Sequence, residues 1–261
     1  MRREGLKPVR YLILSDIHSN WEALEASLEA VKGRYDQAVC CVDIVGYGAD
    51  PNRAVEWVRD NAVAIVRGNH DKASCGISDA HEFNAVARAA ALWTRNQLTL
   101  ENLNYLRQLP AGPAQIEVPG SQKDFQVVHG SLSDEDEYVM APLDAAAEME
   151  RLPLQVTFFG HTHVQGGFVS RGGVAKALRP SYDAGISTRL LEIEEGEKYM
   201  LNPGSIGQPR DGDNRAALVI YTPGEGAVEY WRIPYNIAAA QEKIITSGLP
   251  EVLAYRLRLG R

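Results

Sequence analysis

An aspartate and a histidine stand two positions apart in Asp16-Ile17-His18, directly after the short apolar run Tyr11–Leu14. A carboxylate oxygen and an imidazole nitrogen both bind metal ions. On extended backbone, residues i and i+2 point the same way, so one ion can be gripped by both. Related pairings recur downstream. Asp43 closes the run Ala38–Val42, Asn69 and His70 follow Ala62–Val66, His129 follows Phe125–Val128, and His161 and His163 follow Val156–Phe159. Five of the six histidines in the chain fall at such strand ends. A single histidine after a strand is an ordinary turn or core residue, but five at one sheet edge are more than structural filler. The donors are carboxylate, imidazole and one amide oxygen, without thiolate, which suits Mn, Fe or Zn better than an iron–sulfur cluster or a calcium cage. About seven such groups are too many for one tetrahedral ion; two ions roughly 3.5–4 Å apart, bridged by a carboxylate, are the natural arrangement.

These residues need elements to position them. Residues 21–32 put Trp21, Leu24, Leu28 and Val31 on one helical face, and Ser19 with Glu22 reads as a capping box at its start. Asp50 and Pro51 read as the N-cap and first turn of a helix over 52–60. Strands near 11–14, 38–42 and 62–66 alternate with these helices, which predicts βαβ units and parallel pairing. From about 78 to 109 the pattern is helical, with Phe83, Val86, Ala90 and Trp93 in one segment and Thr99 capping a second that carries Leu100, Leu103 and Leu106. This block is either a cap beside the site or a helix pair completing the core. Strands at 115–118 and 125–128, a helix near 143–151 and a strand at 156–159 follow. Short strands punctuated by glycine turns then run to about 232 and suggest antiparallel meanders. The last 25 residues read as helix, with Leu253, Leu257 and Leu259 apolar between arginines. The class is α/β (α+β). Without a linker signal, one domain over 1–261 is expected, with a helical cap-like insertion at about 78–109.

Composition removes several functions. The formal net charge of −7 argues against a broad duplex-binding surface, though not against a small phosphorylated substrate whose field bound cations would offset. No segment approaches the roughly 20 apolar residues of a membrane span. Arg2, Arg3 and Lys7 precede an apolar run too short for a signal peptide. Cys40, Cys41 and Cys75 have no metal-finger spacing and imply no disulfide framework, so a reducing, cytoplasmic location is expected.

Taken in order, Asp16-x-His18, Asp43 within Val-Asp-Ile-Val-Gly, Gly68-Asn69-His70-Asp71, Val128-His129-Gly130 and Gly160-His161-Thr162-His163 resemble the motifs of the calcineurin-like metallophosphoesterases. The loop Asn202-Pro203-Gly204-Ser205 is similar to that family's late turn. The resemblance implies a four-layer αββα sandwich of two mixed β-sheets flanked by helices, and phosphoester hydrolysis at a binuclear centre of Mn, Fe or Zn. It implies that Asp16, His18 and His163 hold one metal, that Asn69, His129 and His161 hold the other, and that Asp43 bridges them. His70, beside a ligand, is then the general acid or a phosphate contact. A metal-bridging hydroxide would be the nucleophile, since two cations acidify a shared water.

Two departures from the family pattern bear on function. Val42 stands where the family usually has glycine, and the Gly-Asp-x-x-Asp-Arg-Gly signature of protein Ser/Thr phosphatases is absent after Asp43. Gly46-Tyr47-Gly48-Ala49-Asp50-Pro51 resembles instead the bacterial and archaeal phosphodiesterase branch. The expected activity is therefore a phosphodiesterase on a small nucleotide-like ester. A phosphomonoesterase, a dinucleoside polyphosphate hydrolase and a non-catalytic metal-binding scaffold are the alternatives. The expected partner is a small phosphoester, with neither membrane nor long nucleic acid; oligomeric state is open. Tyr47, Arg67 and Arg210 either contact phosphate or serve packing and salt bridges. His81 is a surface or cap-packing residue, Glu192–Glu197 a solvated turn, and Cys40 and Cys41 face opposite sides of one strand.

Overall fold

The computed structural model describes residues 7–121 and 123–261; Arg2 and Arg3 lie outside the described residues. In chain order the elements are β1 (Tyr11–Leu14), α1 (Trp21–Ala30), β2 (Gln37–Cys40), α2 (Pro51–Asn61), β3 (Ala62–Ile65), α3 (Asn69–Cys75), α4 (Ala85–Gln97), α5 (Leu100–Gln108), β4 (Ala114–Ile116) and β5 (Phe125–Val127). They continue as α6 (Pro142–Arg151), β6 (Val156–Phe158), β7 (Gly166–Arg171), β8 (Val174–Leu178), β9 (Ser187–Glu192), β10 (Lys198–Asn202), β11 (Ala216–Thr222), β12 (Ala227–Ile233), α7 (Ile237–Thr246) and α8 (Glu251–Leu259).

The strands form two six-stranded sheets, ordered β3-β2-β1-β11-β12-β9 and β4-β5-β6-β10-β7-β8. β1, β2 and β3 pair in parallel, as do β5, β6 and β10, while the remaining neighbours are antiparallel. Strand alternation sorts the apolar residues into layers. Tyr11, Ile13, Val39, Cys41, Val219 and Tyr221 point inward and meet Phe125, Val127, Phe158, Tyr199 and Leu201 of the other sheet. Leu12, Leu14, Cys40, Leu218 and Ile220 point the other way, onto Leu24 of α1 and Val55 and Val58 of α2. On the far side, Val128, Phe159 and Met200 bury Ala145 and Met149 of α6. Helix, sheet, sheet, helix is the four-layer mixed sandwich expected, and Cys40 and Cys41 do face opposite cores.

Several local expectations are corrected. The side chain that caps α1 is that of Asn20, which accepts from the Ala23 N–H at 3.2 Å; Ser19 does not cap it. Asp50 occupies the N-cap position of α2 without a capping hydrogen bond, because its carboxylate is drawn to Lys243 at 2.7 Å. The C-terminal stretch is two helices rather than one: Gly248, at φ 79°, and Pro250 break it between α7 and α8. Leu253 and Leu257 are buried there, whereas Leu259 is exposed.

The block at 78–109 divides in two. Leu106 and Leu109 enter the outer core of the first sheet, and Ala87 and Ala90 pack with α7 and α8, while residues 78–84 are non-helical and wall a cavity. None of the helices among the described residues is long and apolar enough to cross a membrane.

Candidate metal centre

The candidate ligands gather where the C-terminal ends of strands from both sheets converge, not along one sheet edge. Asp16 and His18 follow β1, Asp43 follows β2, and Asn69 and His70 open α3 after β3. His129 follows β5, and His161 and His163 follow β6 of the second sheet.

The pleat does not aim Asp16 and His18 together as expected. Both lie beyond the strand in the left-handed region, at φ 50° and 49°, and so do His161 and His163, at 65° and 59°. Each such residue costs on the order of 1 kcal/mol. The surroundings hold them there. The Ile17 and His18 N–H groups donate to the Asp43 carbonyl at 2.8 and 3.1 Å, and the His161 N–H donates to Asp16 Oδ1 at 3.2 Å.

Two triads result, Asp16–His18–His163 and Asp43–His129–His161, each with its donor atoms within 4.8 Å of one another. The Asp43 carboxylate lies between them: Oδ2 is 3.7 Å from His18 Nε2 and 3.6 Å from His129 Nε2. Its other oxygen is occupied by the His70 N–H at 2.8 Å.

Backbone carbonyls fix the tautomers. His18 Nδ1 faces the Val45 carbonyl at 3.0 Å, His129 Nδ1 that of Cys41 at 2.9 Å, and His163 Nδ1 that of Gln208 at 2.6 Å. A carbonyl only accepts, so these rings carry their proton on Nδ1 and leave Nε2 as a lone-pair donor. His161 is inverted: Nε2 faces the Asp136 carbonyl at 3.0 Å and Nδ1 is left free. The free nitrogens then approach in pairs, His18 with His163 and His129 with His161, each at 3.1 Å.

Two lone pairs at that distance repel, and a cation shared between them removes the repulsion. Asp43 Oδ2 and Asn69 Oδ1 are buried without a hydrogen-bond partner among the described residues, which fits the same reading. Burial pushes Asp16 up to about 7, and raises Asp43 well above the carboxylate range with Asp71 and Asp16 adding to the effect. Burial likewise lowers His129 to about 4 and holds His18 and His163 well below their usual range, so the imidazoles are in the neutral, ligating form. Two metal ions fit this set: their charge would hold the Asp16 and Asp43 carboxylates ionised against burial and would satisfy the paired imidazole lone pairs.

Residues behind the donors hold the geometry. Asp71 accepts from Ile44 N–H (3.0 Å), Val45 N–H (3.2 Å) and Gly68 N–H (3.1 Å), tying the loop after β2 to the turn into α3. Gly68 leaves room for the bridge, since a Cβ there would stand 2.0 Å from Asp43 Oδ1. Val42 fills the core beneath the site. Arg67 pairs with Glu135 at 3.0 Å, and Lys72 with Glu135 and Asp136 at 2.8 and 2.6 Å, anchoring the loop whose carbonyl orients His161. Tyr138 stacks on His161 at 3.8 Å. Residue types alone did not single out Asp71 or Tyr138; the Gly-Asn-His-Asp block contained the only hint of Asp71.

His70 is buried, and its Nδ1 has no hydrogen-bond partner among the described residues. Its ring packs against Tyr47 at 4.3 Å and Phe83 at 4.6 Å. With Asn69, His161, Tyr47 and Tyr138 it lines a cavity of about 580 Å³, which residues 78–84 close on one side. His81 lies on that wall, exposed and paired with Asp79 at 3.0 Å. Arg210 donates to Tyr47 Oη at 3.4 Å. In the acidic turn, Glu194 and Glu197 both pair with Arg171, at 3.1 and 2.9 Å.

The chain is 35% identical over 250 residues to an uncharacterized protein of Methanocaldococcus jannaschii, covering 95% of this chain and 97% of that one. It is 38% identical to a metallophosphoesterase from Sphaerobacter thermophilus of known crystal structure, with a TM-score of 0.81 over 98% of this chain and 100% of the other. A hypothetical protein from Pyrococcus horikoshii, 19% identical, shares the fold at a TM-score of 0.76 over 97% and 99% of the two chains. The family model for the calcineurin-like phosphoesterase superfamily domain matches residues 9–224. Both ends of the centre, from the loop after β1 to the turn at 202–205, fall inside that match, and the chain belongs to this superfamily of hydrolases that act on phosphoester bonds.

Proposed function

We propose that the chain hydrolyses a phosphodiester of a small, nucleotide-like molecule with two metal ions in its triads. The observation that carries this reading is Asp43, whose Oδ2, without a hydrogen-bond partner among the described residues, lies 3.7 Å from His18 Nε2 and 3.6 Å from His129 Nε2; Asn69 and His161 beside it line a cavity of about 580 Å³. Asp16, His18 and His163 would hold one ion, Asn69, His129 and His161 the other, and Asp43 both. Bound there, two cations of Mn, Fe or Zn supply charge neutralisation at the phosphoryl group and an acidified water.

The chain's own residues do the rest. His70 lines the cavity, where a ring N–H would bond a phosphoryl oxygen or the leaving oxygen. Burial lowers its pKa well below the usual range, so the resting ring is neutral; an anionic ester beside it brings the counter-charge that favours its protonation. Tyr47, Phe83 and Tyr138 give the cavity apolar faces suited to a base. The net charge of −7 favours a small ester over a duplex.

The test is hydrolysis of a p-nitrophenyl diester beside the matching monoester by Mn²⁺-loaded protein, normalised to bound metal. Faster diester turnover is expected. A preference for the monoester would replace this reading with a phosphatase, and no turnover of either with two metals bound would replace it with a scaffold.

A further inference from the structure

A second cavity, of about 600 Å³, opens beside the loop that carries Arg210; Gln165, Arg179, Tyr182, Asp211 and Arg232 line it with Arg210. Most of its charges are already matched. Buried Arg232 is paired with Asp211, Asp213 is taken by Arg215, and the Tyr182 hydroxyl donates to Gln165 Oε1 at 2.5 Å. Two guanidinium groups are left over. Arg179 is exposed and has no hydrogen-bond or ion-pair partner among the described residues. Arg210 is half-buried, has no carboxylate within 4.0 Å among the described residues, and has an Nε that is buried without a partner; its Nη2 finds only Tyr47 Oη at 3.4 Å and Gln208 Oε1 at 3.2 Å.

A half-buried guanidinium with no carboxylate in contact is electrostatically incomplete. Its place makes this more acute. The Arg210 main-chain N–H donates to the His163 carbonyl at 3.1 Å, and its guanidinium lies over the Tyr47 ring, which packs on His18; the charge is therefore near the first triad, and cations loaded there would repel it. An anion on Arg210 resolves both problems, and in a chain of net charge −7 such a surplus of positive charge is local and specific. A guanidinium fork binds phosphate oxygens in a bidentate way, and a phosphate has enough oxygens to take two such groups at once. Tyr47 joins the two cavities: its hydroxyl takes the Arg210 bond while its ring packs on His18 at 4.6 Å and His70 at 4.3 Å.

We propose that the second cavity is an anion subsite, in which Arg210 and Arg179 hold a second, non-scissile phosphate of a substrate whose scissile ester lies at the two triads. The substrate part of this inference rests on the phosphodiesterase reading; the anion site does not. Its test uses Mn²⁺-loaded wild type and Arg179→Ala, a substitution at an exposed position that leaves the core intact. Two dinucleotides differing only in a 5′-phosphate are compared as substrates, and inorganic phosphate is titrated by calorimetry. The expected result is that the ratio of kcat/KM with and without the 5′-phosphate falls about tenfold in the variant, and that one phosphate-binding event weakens about tenfold. Weakened phosphate binding with an unchanged ratio keeps the anion site and overturns its link to the substrate. If neither dinucleotide is hydrolysed while phosphate binding still depends on Arg179, the phosphodiesterase reading fails and the anion site stands. An unchanged ratio with unchanged phosphate affinity overturns the proposal.

Discussion

Carbonyls rather than carboxylates orient the imidazoles of this centre, so the ring protons depend on where the backbone runs: Val45, Cys41, Asp136 and Gln208 each set one tautomer. Asp71 is the side chain that keeps part of that backbone in place. Asp71→Asn puts an amide donor against backbone N–H groups; it should weaken metal binding about 10–100-fold and lower stability by about 1–3 kcal/mol, read by metal titration and thermal denaturation. His70→Ala should behave differently. Metal content should stay at the wild-type level while turnover of esters with poor leaving groups falls by about 10² or more, and p-nitrophenyl esters lose less. Loss of metal from that variant would remove His70 from the proton-transfer role. At this scale the sequence was readable where side-chain type carries the chemistry, as at Asp16, Asp43 and the strand-end histidines. It was silent on the left-handed backbone at Asp16, His18, His161 and His163, because those residue types adopt that region only where tertiary contacts impose it.

Among the elements, the parallel trio β1, β2 and β3 was legible because apolar runs alternate with amphipathic ones. The short α3 was not, since its seven residues carry the site's polar side chains instead of an apolar stripe. The helical block shows why position alone cannot separate a cap from a core. Leu106 of α5 is fully buried against the first sheet, so Leu106→Ala should cost about 2–5 kcal/mol in denaturant unfolding. A smaller device ties the entries of β1 and β2, where Arg10 donates to Asp36 through its main-chain N–H, Nε and Nη2 at 3.0, 3.1 and 2.9 Å. These bonds hold the Asp36 carboxyl at about 2, below its ordinary 3.8. A carboxyl lowered by folding stabilises above its unfolded pKa and loses that contribution as pH falls through the folded one. Asp36→Asn should therefore flatten the stability curve between about pH 4 and pH 2, by less than about 1 kcal/mol because the pair is solvent-screened. Stability against pH for the two proteins checks it.

For the whole molecule, the residues pointed to strands, helices and a parallel start, while the two-sheet sandwich was expected only from the family resemblance; which sheet each ligand came from was not legible, because strand order is not written locally. Since the triads belong to the folded state, stripping the metals should cost about 4 kcal/mol per site at a thousandfold excess over Kd, or about 10 °C in Tm, seen by scanning calorimetry with and without chelator. The three thiols are buried, with Cys40 pushed up to about 12, so none should react with a thiol reagent until the chain unfolds.

Each triad takes donors from both sheets: Asp16 and His18 with His163, and Asp43 with His129 and His161. An ion in either one is thus a gauge of the spacing between the layers. By thermodynamic reciprocity, a change in that spacing must alter ion affinity as surely as a change of ligand. Substitutions at the Phe125–Phe158–Tyr221 aromatic cluster, deep between the sheets, touch neither triad's donor atoms, yet they should register there as a shift in metal dissociation constant.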